Sequence, residues 1–159
     1  MDYTELLIEA DTNNLITKDK PLRANNGRIK GNRIAIKKDL VTIQKKCVLA
    51  EELGHYHTTV GNILDQTSVE NVKQERKARI WAYEKQIGLQ GLVDCFESRC
   101  RNEYEMAISL GVTEEFLKDA ISYYRQKYGV STNYQHYTIF FEPTLLIHKK
   151  SKGESTWEN

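Results

Sequence analysis

Leu49-Ala50-Glu51-Glu52-Leu53-Gly54-His55 sets two carboxylates and an imidazole within little more than one helical turn. Residues four apart on a helix share a face, so Glu51 and His55 point the same way and can reach one ion. Glu52 lies about 100° further round. It can touch an ion-bound water there without being a ligand. The stretch departs from the H-E-x-x-H pattern of zinc sites by one residue, with Glu51 in place of the first histidine. Gly54 inside a helix costs about 1 kcal/mol relative to alanine, a cost that close approach of a neighbouring backbone would explain.

A catalytic zinc takes three protein ligands and keeps one position open. The best third candidate is Glu75, near the start of the next helix, in Gln74-Glu75-Arg76-Lys77-Ala78-Arg79-Ile80-Trp81-Ala82. An antiparallel return would bring it over the first motif. Ala78 and Ala82, on one face, would let the two helices approach closely.

Outward from these motifs the chain reads as α+β: helix-rich, with a small β-sheet and the motif helix packed against a second long helix. Residues 3–10 form a short helix, and 11–26, with Asn13-Asn14 and Asn25-Asn26-Gly27, read as loop and turn. Arg28 to Ile36 reads as a hairpin turning at Gly31-Asn32. Helices follow from about Val41 to His57, with Gly61 ending the first or opening the loop after it, and from Val69 to Gln86, with Gly88 as a stop. From Leu89 to Tyr128 the pattern is helical. One helix packs through Leu92, Val93 and Phe96, a second runs from Glu103 to Leu110, Gly111 closes it, and Thr113 caps a third. Tyr137–Phe141 and Leu145–Ile147 read as strand, interrupted or placed at an edge by Pro143. The division is a core over 1–90, a helical subdomain over 91–130, C-terminal strands over 131–148 returning to the core, and a polar tail over 149–159.

Composition excludes several classes. The 159 residues carry a net charge of +1, with 40% hydrophobic and 28% charged. Such a balance gives no bulk attraction to nucleic acid or membrane. No apolar run is long enough for a membrane span. The acidic start, Met1-Asp2-Tyr3-Thr4-Glu5, lacks the basic region of a signal peptide. Cys47, Cys95 and Cys100, an odd number without a secretion signal, fit free core thiols in a reducing cytoplasm. The helix–Gly–capped-helix pattern of 103–128 is like a helix-turn-helix, but a plain helical subdomain is the preferred reading. Glu114, Glu115 and Asp119 at the end that would enter a groove repel phosphate, which argues against direct DNA binding. His136 and His148 have no paired ligand spacing and are read as structural.

Two motifs in order carry a resemblance. Leu49-Ala50-Glu51-Glu52-Leu53-Gly54-His55-Tyr56-His57 resembles the LAHELGHYH segment of the ImmA/IrrE family of metallo-endopeptidases. Glu75-x-x-Ala78-x-x-x-Ala82, with Trp81 as the aromatic, is similar to that family's downstream helix. The resemblance covers about residues 25–90 well and extends to about 130 loosely. It implies a zincin-like fold, a bound zinc and cytoplasmic proteolysis. Members in phages and mobile elements cleave, or help inactivate, a helix-turn-helix repressor. Carried over, Glu52 is the catalytic general base and His55 and Glu75 are metal ligands. Glu51 stands at the first histidine ligand, and Arg79 where Asn or Asp is usual.

Glu51 admits three readings. A Glu51–His55–Glu75 set binds metal, with its oxygen-rich character favouring manganese or iron beside zinc. Alternatively, His57 replaces the missing ligand, which needs the helix to unwind at Tyr56. The last reading is a zincin-shaped protein without catalytic metal that binds and regulates a repressor stoichiometrically. Tyr56 and His57 are accessory candidates for stabilising an oxyanion. The expectation is a metal-dependent endopeptidase acting on a repressor-like cytoplasmic protein.

Overall fold

The computed structural model describes residues 1–59 and 68–153. Helix α1 (Tyr3–Thr12) opens on a capping box in which Asp2 and Glu5 each accept the other's backbone N–H. Strands β1 (Ile16–Lys20), β2 (Gly27–Lys30) and β3 (Arg33–Lys37) form a sheet in the order β1-β3-β2. The hairpin β2–β3 turns as expected at Gly31-Asn32, with Gly31 at φ +59°. Strand β1 corrects the expectation of a loop over 11–26. Its sequence, Ile-Thr-Lys-Asp-Lys, has one apolar residue and lies almost wholly exposed, so no alternation marks it. Parallel pairing with β3 from Ile16↔Arg33 to Lys20↔Lys37 creates it. Ile34 and Ile36 on β3 point into the core at 1% and 0% exposure.

Helices α2 (Thr42–Thr58) and α3 (Ser68–Gln86) are the two long helices that the motifs require. The expected stop at Gly61 lies outside the described residues. Gly54 explains itself here: a Cβ on it would collide with the backbone carbonyl of Ala78. Ala78 and Ala82 are both fully buried. The helices meet backbone to backbone because both present their smallest residues at the crossing.

Gly88 stands at the junction of α3 with α4 (Gly88–Glu97), where φ +60° turns the chain. Helix α5 (Glu103–Leu110) ends on Gly111 in the left-handed region, and Thr113 Oγ1 accepts the Phe116 N–H at 3.1 Å to start α6 (Glu114–Tyr128). Lys46, only 7% exposed, donates from Nζ to the Leu110 carbonyl at 3.0 Å. A buried cation thus satisfies the end of α5 and ties it to α2.

The remaining strands pair with one another in a second sheet, β4 (Ser131–Tyr134), β5 (Tyr137–Phe140) and β6 (Leu146–Lys149), in that order. Polar β4, Ser-Thr-Asn-Tyr, falls within the 131–148 span read as C-terminal strands. Buried Tyr137, Ile139 and Phe141 join the same hydrophobic core as Tyr124 of α6. Tyr128 stacks on Phe141 at 6.0 Å, and Arg125 Nε donates to the Phe141 carbonyl at 3.0 Å. Glu97 of α4 accepts from Tyr137 Oη at 2.5 Å and Lys149 Nζ at 2.8 Å. The tail from 154 onward lies outside the described residues.

Two outcomes test this packing. Gly54→Ala gains about 1 kcal/mol of helix propensity but drives a methyl into a backbone carbonyl that cannot rotate away, so net destabilisation of about 2 kcal/mol is expected. A urea midpoint equal to or above wild type contradicts it. Donation from Lys149, and secondarily from Tyr137, holds the Glu97 carboxyl below its usual range. A lowered folded pKa contributes stability that is present above the unfolded pKa and lost as pH falls through the folded one. Wild type should therefore exceed Glu97→Gln in urea midpoint at neutral pH, and the difference should shrink as the pH falls below the ordinary glutamate range.

Candidate active site

Helix α2 forms the floor of a cleft of about 840 Å³, lined along this helix by Cys47, Val48, Glu51, Glu52 and His55. The end strand β2 supplies one wall, with Gly27, Arg28 and Ile29. Glu75 and Arg79 come from α3, and Glu115 and Asp119 from the start of α6. Tyr56 and Thr59 close the end beyond His55.

Glu52 is 8% exposed. Burial first, then the nearby Glu51 and Glu75, push its carboxyl up to about 7. A Cβ at Gly27 would lie 2.7 Å from Glu52 Oε1 and collide with Val48. Glycine at the start of β2 therefore keeps the carboxyl open to the cleft, and no other residue fits there without displacing it.

His55 and Glu75 come together, Nε2 to Oε1, at 3.2 Å. Two atoms bound to one tetrahedral zinc at about 2.0–2.1 Å stand about 3.3 Å apart, so this donor pair fits a shared ion. Glu51 lines the same cleft, half-buried. Burial raises its pKa first, Arg79 opposes that rise, and Glu75, Asp119 and Glu115 add to it. Among the described residues no three His, Cys, Asp or Glu side chains form a ligating group. His55 and Glu75 are in contact, and Glu51, one turn before His55, lines the same cleft.

His57 faces elsewhere. Its Nε2 lies 3.3 Å from Glu9 Oε1 of α1, and its ring stacks on Trp81 at 4.8 Å. Lys85 shares Glu9 at 3.2 Å. With α2 helical through Thr58, His57 lies about 200° round from His55. The unwinding at Tyr56 that would bring it into the cleft is absent from this helix.

Gly27, Glu115 and Asp119 complete the walls without having been singled out as site residues from the sequence, beside Arg79, which stood out only as a departure in the second motif. Gly27 carried only a turn signal. Arg79, four residues after Glu75, shares its helix face, which the spacing already implied. Glu115 and Asp119 show the same spacing on a capped helix. That this face looks into the cleft is a tertiary fact.

The family model described as Peptidase_M78, IrrE N-terminal-like domain, matches residues 8–122. The comparison with curated proteins and that with solved structures return no match. The match spans α1 to most of α6 and takes in every wall of the cleft. A metallopeptidase family implies a metal cofactor and a protein substrate. Among the described residues, no helix is long and apolar enough to cross a membrane. With the match covering well over half its length, the chain belongs to the IrrE N-terminal-like family of peptidases.

Proposed function

We propose that the protein is a metal-dependent endopeptidase that cuts a cytoplasmic regulatory protein, a helix-turn-helix repressor of the phage type. The observation that carries this reading is the placement of Glu52. A buried carboxyl, with its pKa pushed up to about 7, lines the same cleft as an imidazole–carboxylate pair at 3.2 Å. A general base works best with a pKa near the operating pH.

His55 and Glu75 are the residues that would hold the ion, zinc first, with manganese or iron as alternatives. When bound, such an ion supplies Lewis-acid polarisation of the scissile carbonyl. Glu52 takes a proton from the attacking water and later returns it to the leaving amine nitrogen. Gly27 beside it leaves the carboxyl open to the cleft, where it can reach that water. Tyr56, 40% exposed and lining the cleft end, would donate toward an oxyanion. Specificity comes from docking of the partner against the cleft walls, with no role for membrane or direct DNA contact.

One observation favours a second reading. The described residues bring together two metal-ligating side chains and not three. A protein with this cleft but no turnover would hold a repressor stoichiometrically. Titrating substrate separates the two readings: substoichiometric protein consumes all of the repressor only if it turns over.

Glu52→Gln should abolish cleavage while preserving fold and metal uptake, and cleavage retained at a tenth of the wild-type rate or more (about 1.4 kcal/mol in barrier) would sink the role given to Glu52. Glu52→Met removes a buried carboxyl crowded by two others, so it should also raise stability, by about 1–2 kcal/mol. A lower urea midpoint for that variant would mean that Glu52 supports the fold instead of being strained by it.

A further inference from the structure

Helix α4 ends in a turn with a cysteine on either side of it. Ser98 caps the helix and Arg99 takes φ +59°. Two backbone bonds close the turn, from the Cys100 N–H to the Cys95 carbonyl and from the Arg99 N–H to the Phe96 carbonyl, each at 3.0 Å. These are the two bonds of a Schellman motif, and that motif brings together the side chains of the residues joined by its longer bond. Here those residues are Cys95 and Cys100. With the bond at 3.0 Å, covalent geometry holds their Cα atoms within about 7 Å, and the bends at carbonyl and amide bring them closer. Two cysteines inside that limit can be bridged without moving the backbone.

We propose that Cys95 and Cys100 are a peroxide-sensitive dithiol, a modification site at the end of α4 that closes reversibly into a disulfide while the turn keeps its native form. Neither residue lines the cleft, so the site stands apart from the one already described.

The surroundings divide the work between the two sulfurs. Cys100 is half-buried, packed at the edge of the core, and Cys95 is 1% exposed. An oxidant therefore meets Cys100 first. The Cys95 thiol lies at the α4–α5 contact, where Sγ donates weakly to the Met106 carbonyl at 3.9 Å. Burial, and then the neighbouring Cys100, push that thiol up to about 12, so it stays protonated until an oxidised sulfur is presented to it. In the first step Cys100 Sγ attacks hydrogen peroxide. The S–O bond forms, the O–O bond breaks, and the hydroxide released leaves as water with the thiol proton. In the second step Cys95 Sγ attacks Cys100 Sγ. The S–S bond forms, the S–O bond breaks, and the second hydroxide takes the Cys95 proton as water. Each sulfur gives up one electron, and the peroxide is reduced to water. A thiol reductant reopens the bridge by exchange.

The test treats the reduced full chain with hydrogen peroxide, then alkylates it in denaturant and digests it with trypsin. Cleavage after Arg99 and Arg101 separates the two cysteines, so a bridge is read as two peptides held together. The expected product is a monomer lighter by two hydrogens, with the Cys95 and Cys100 peptides joined, buried Cys47 alkylated, and all three thiols recovered on reduction. It should melt no lower than the reduced chain, because the bridge spans a turn that is already closed. Cys95→Ser should leave Cys100 as a sulfenic acid that a 1,3-dione captures, and Cys100→Ser should leave Cys95 reduced. Both cysteines still open to alkylation, at an exposure that converts free cysteine to cystine, would overturn the proposal. So would a bridge to Cys47 or between two chains, wild-type Cys100 halting at an oxygen acid without a bridge, or a bridged chain that melts below the reduced one.

Discussion

The contact between Gly54 and the Ala78 carbonyl sets the geometry of everything around the cleft. Helix axes separated by ordinary side chains stand 8–10 Å apart, roughly, and two carboxylates or an imidazole projecting across that gap meet only if the backbones draw in. Gly54 and fully buried Ala78 remove the side chains that would hold α2 and α3 apart. His55 then reaches Glu75 at 3.2 Å. Glycine is a poor helix former, and the cost it imposes on α2 is repaid by this closeness, which no larger residue permits. The same crossing fixes which residues face each other one turn further along.

Around that crossing the protein concentrates negative charge. Glu51, Glu52, Glu75, Glu115 and Asp119 line one cleft, against Arg28 and Arg79, in a chain whose net charge is +1. Burial makes Glu51 and Glu52 costlier to ionise, and the neighbouring carboxylates add to that cost. Glu52 shows the result most clearly, at about 7. A stability-driven sequence would put apolar residues there. Strained, secluded carboxyls in a cleft are the mark of a site arranged for proton transfer or cation binding. Elsewhere charge is handled differently: Lys46, also buried, caps the end of α5 and does structural work.

How much of this was legible in the sequence follows from what each signal depends on. The helices were readable because their caps and stops are local: Thr113 before Glu114, Gly111 after Leu110. The hairpin was readable from Gly31-Asn32 between β-branched residues. Strand β1 was not, because Ile16–Lys20 owes its extended form to a partner distant in the chain and shows almost no apolar alternation. The candidate site divides along the same line. Glu51, Glu52 and His55 follow from helical spacing, and Glu75 from a second motif whose return was inferred. Gly27, Glu115 and Asp119 enter through the packing of β2 and α6 over α2, which spacing within one helix cannot express. His57, weighed as a ligand only if the helix unwound at Tyr56, keeps the helical period and faces Glu9 and Trp81.

The frame of the cleft does not depend on the ion. Its walls are held by the Gly54–Ala78 crossing, by the bond from Lys46 to α5, by the fully buried Leu49 and Leu53 beneath the motif, and by Phe116 and Leu117 under α6. None of these groups is a metal ligand. A structural zinc site contributes folding energy outright, and replacing one of its ligands unravels the domain around it. Here the cleft side chains are carried by a core that is complete without them. The shape that the cleft offers a protein substrate therefore does not rest on what Glu51, His55 and Glu75 engage.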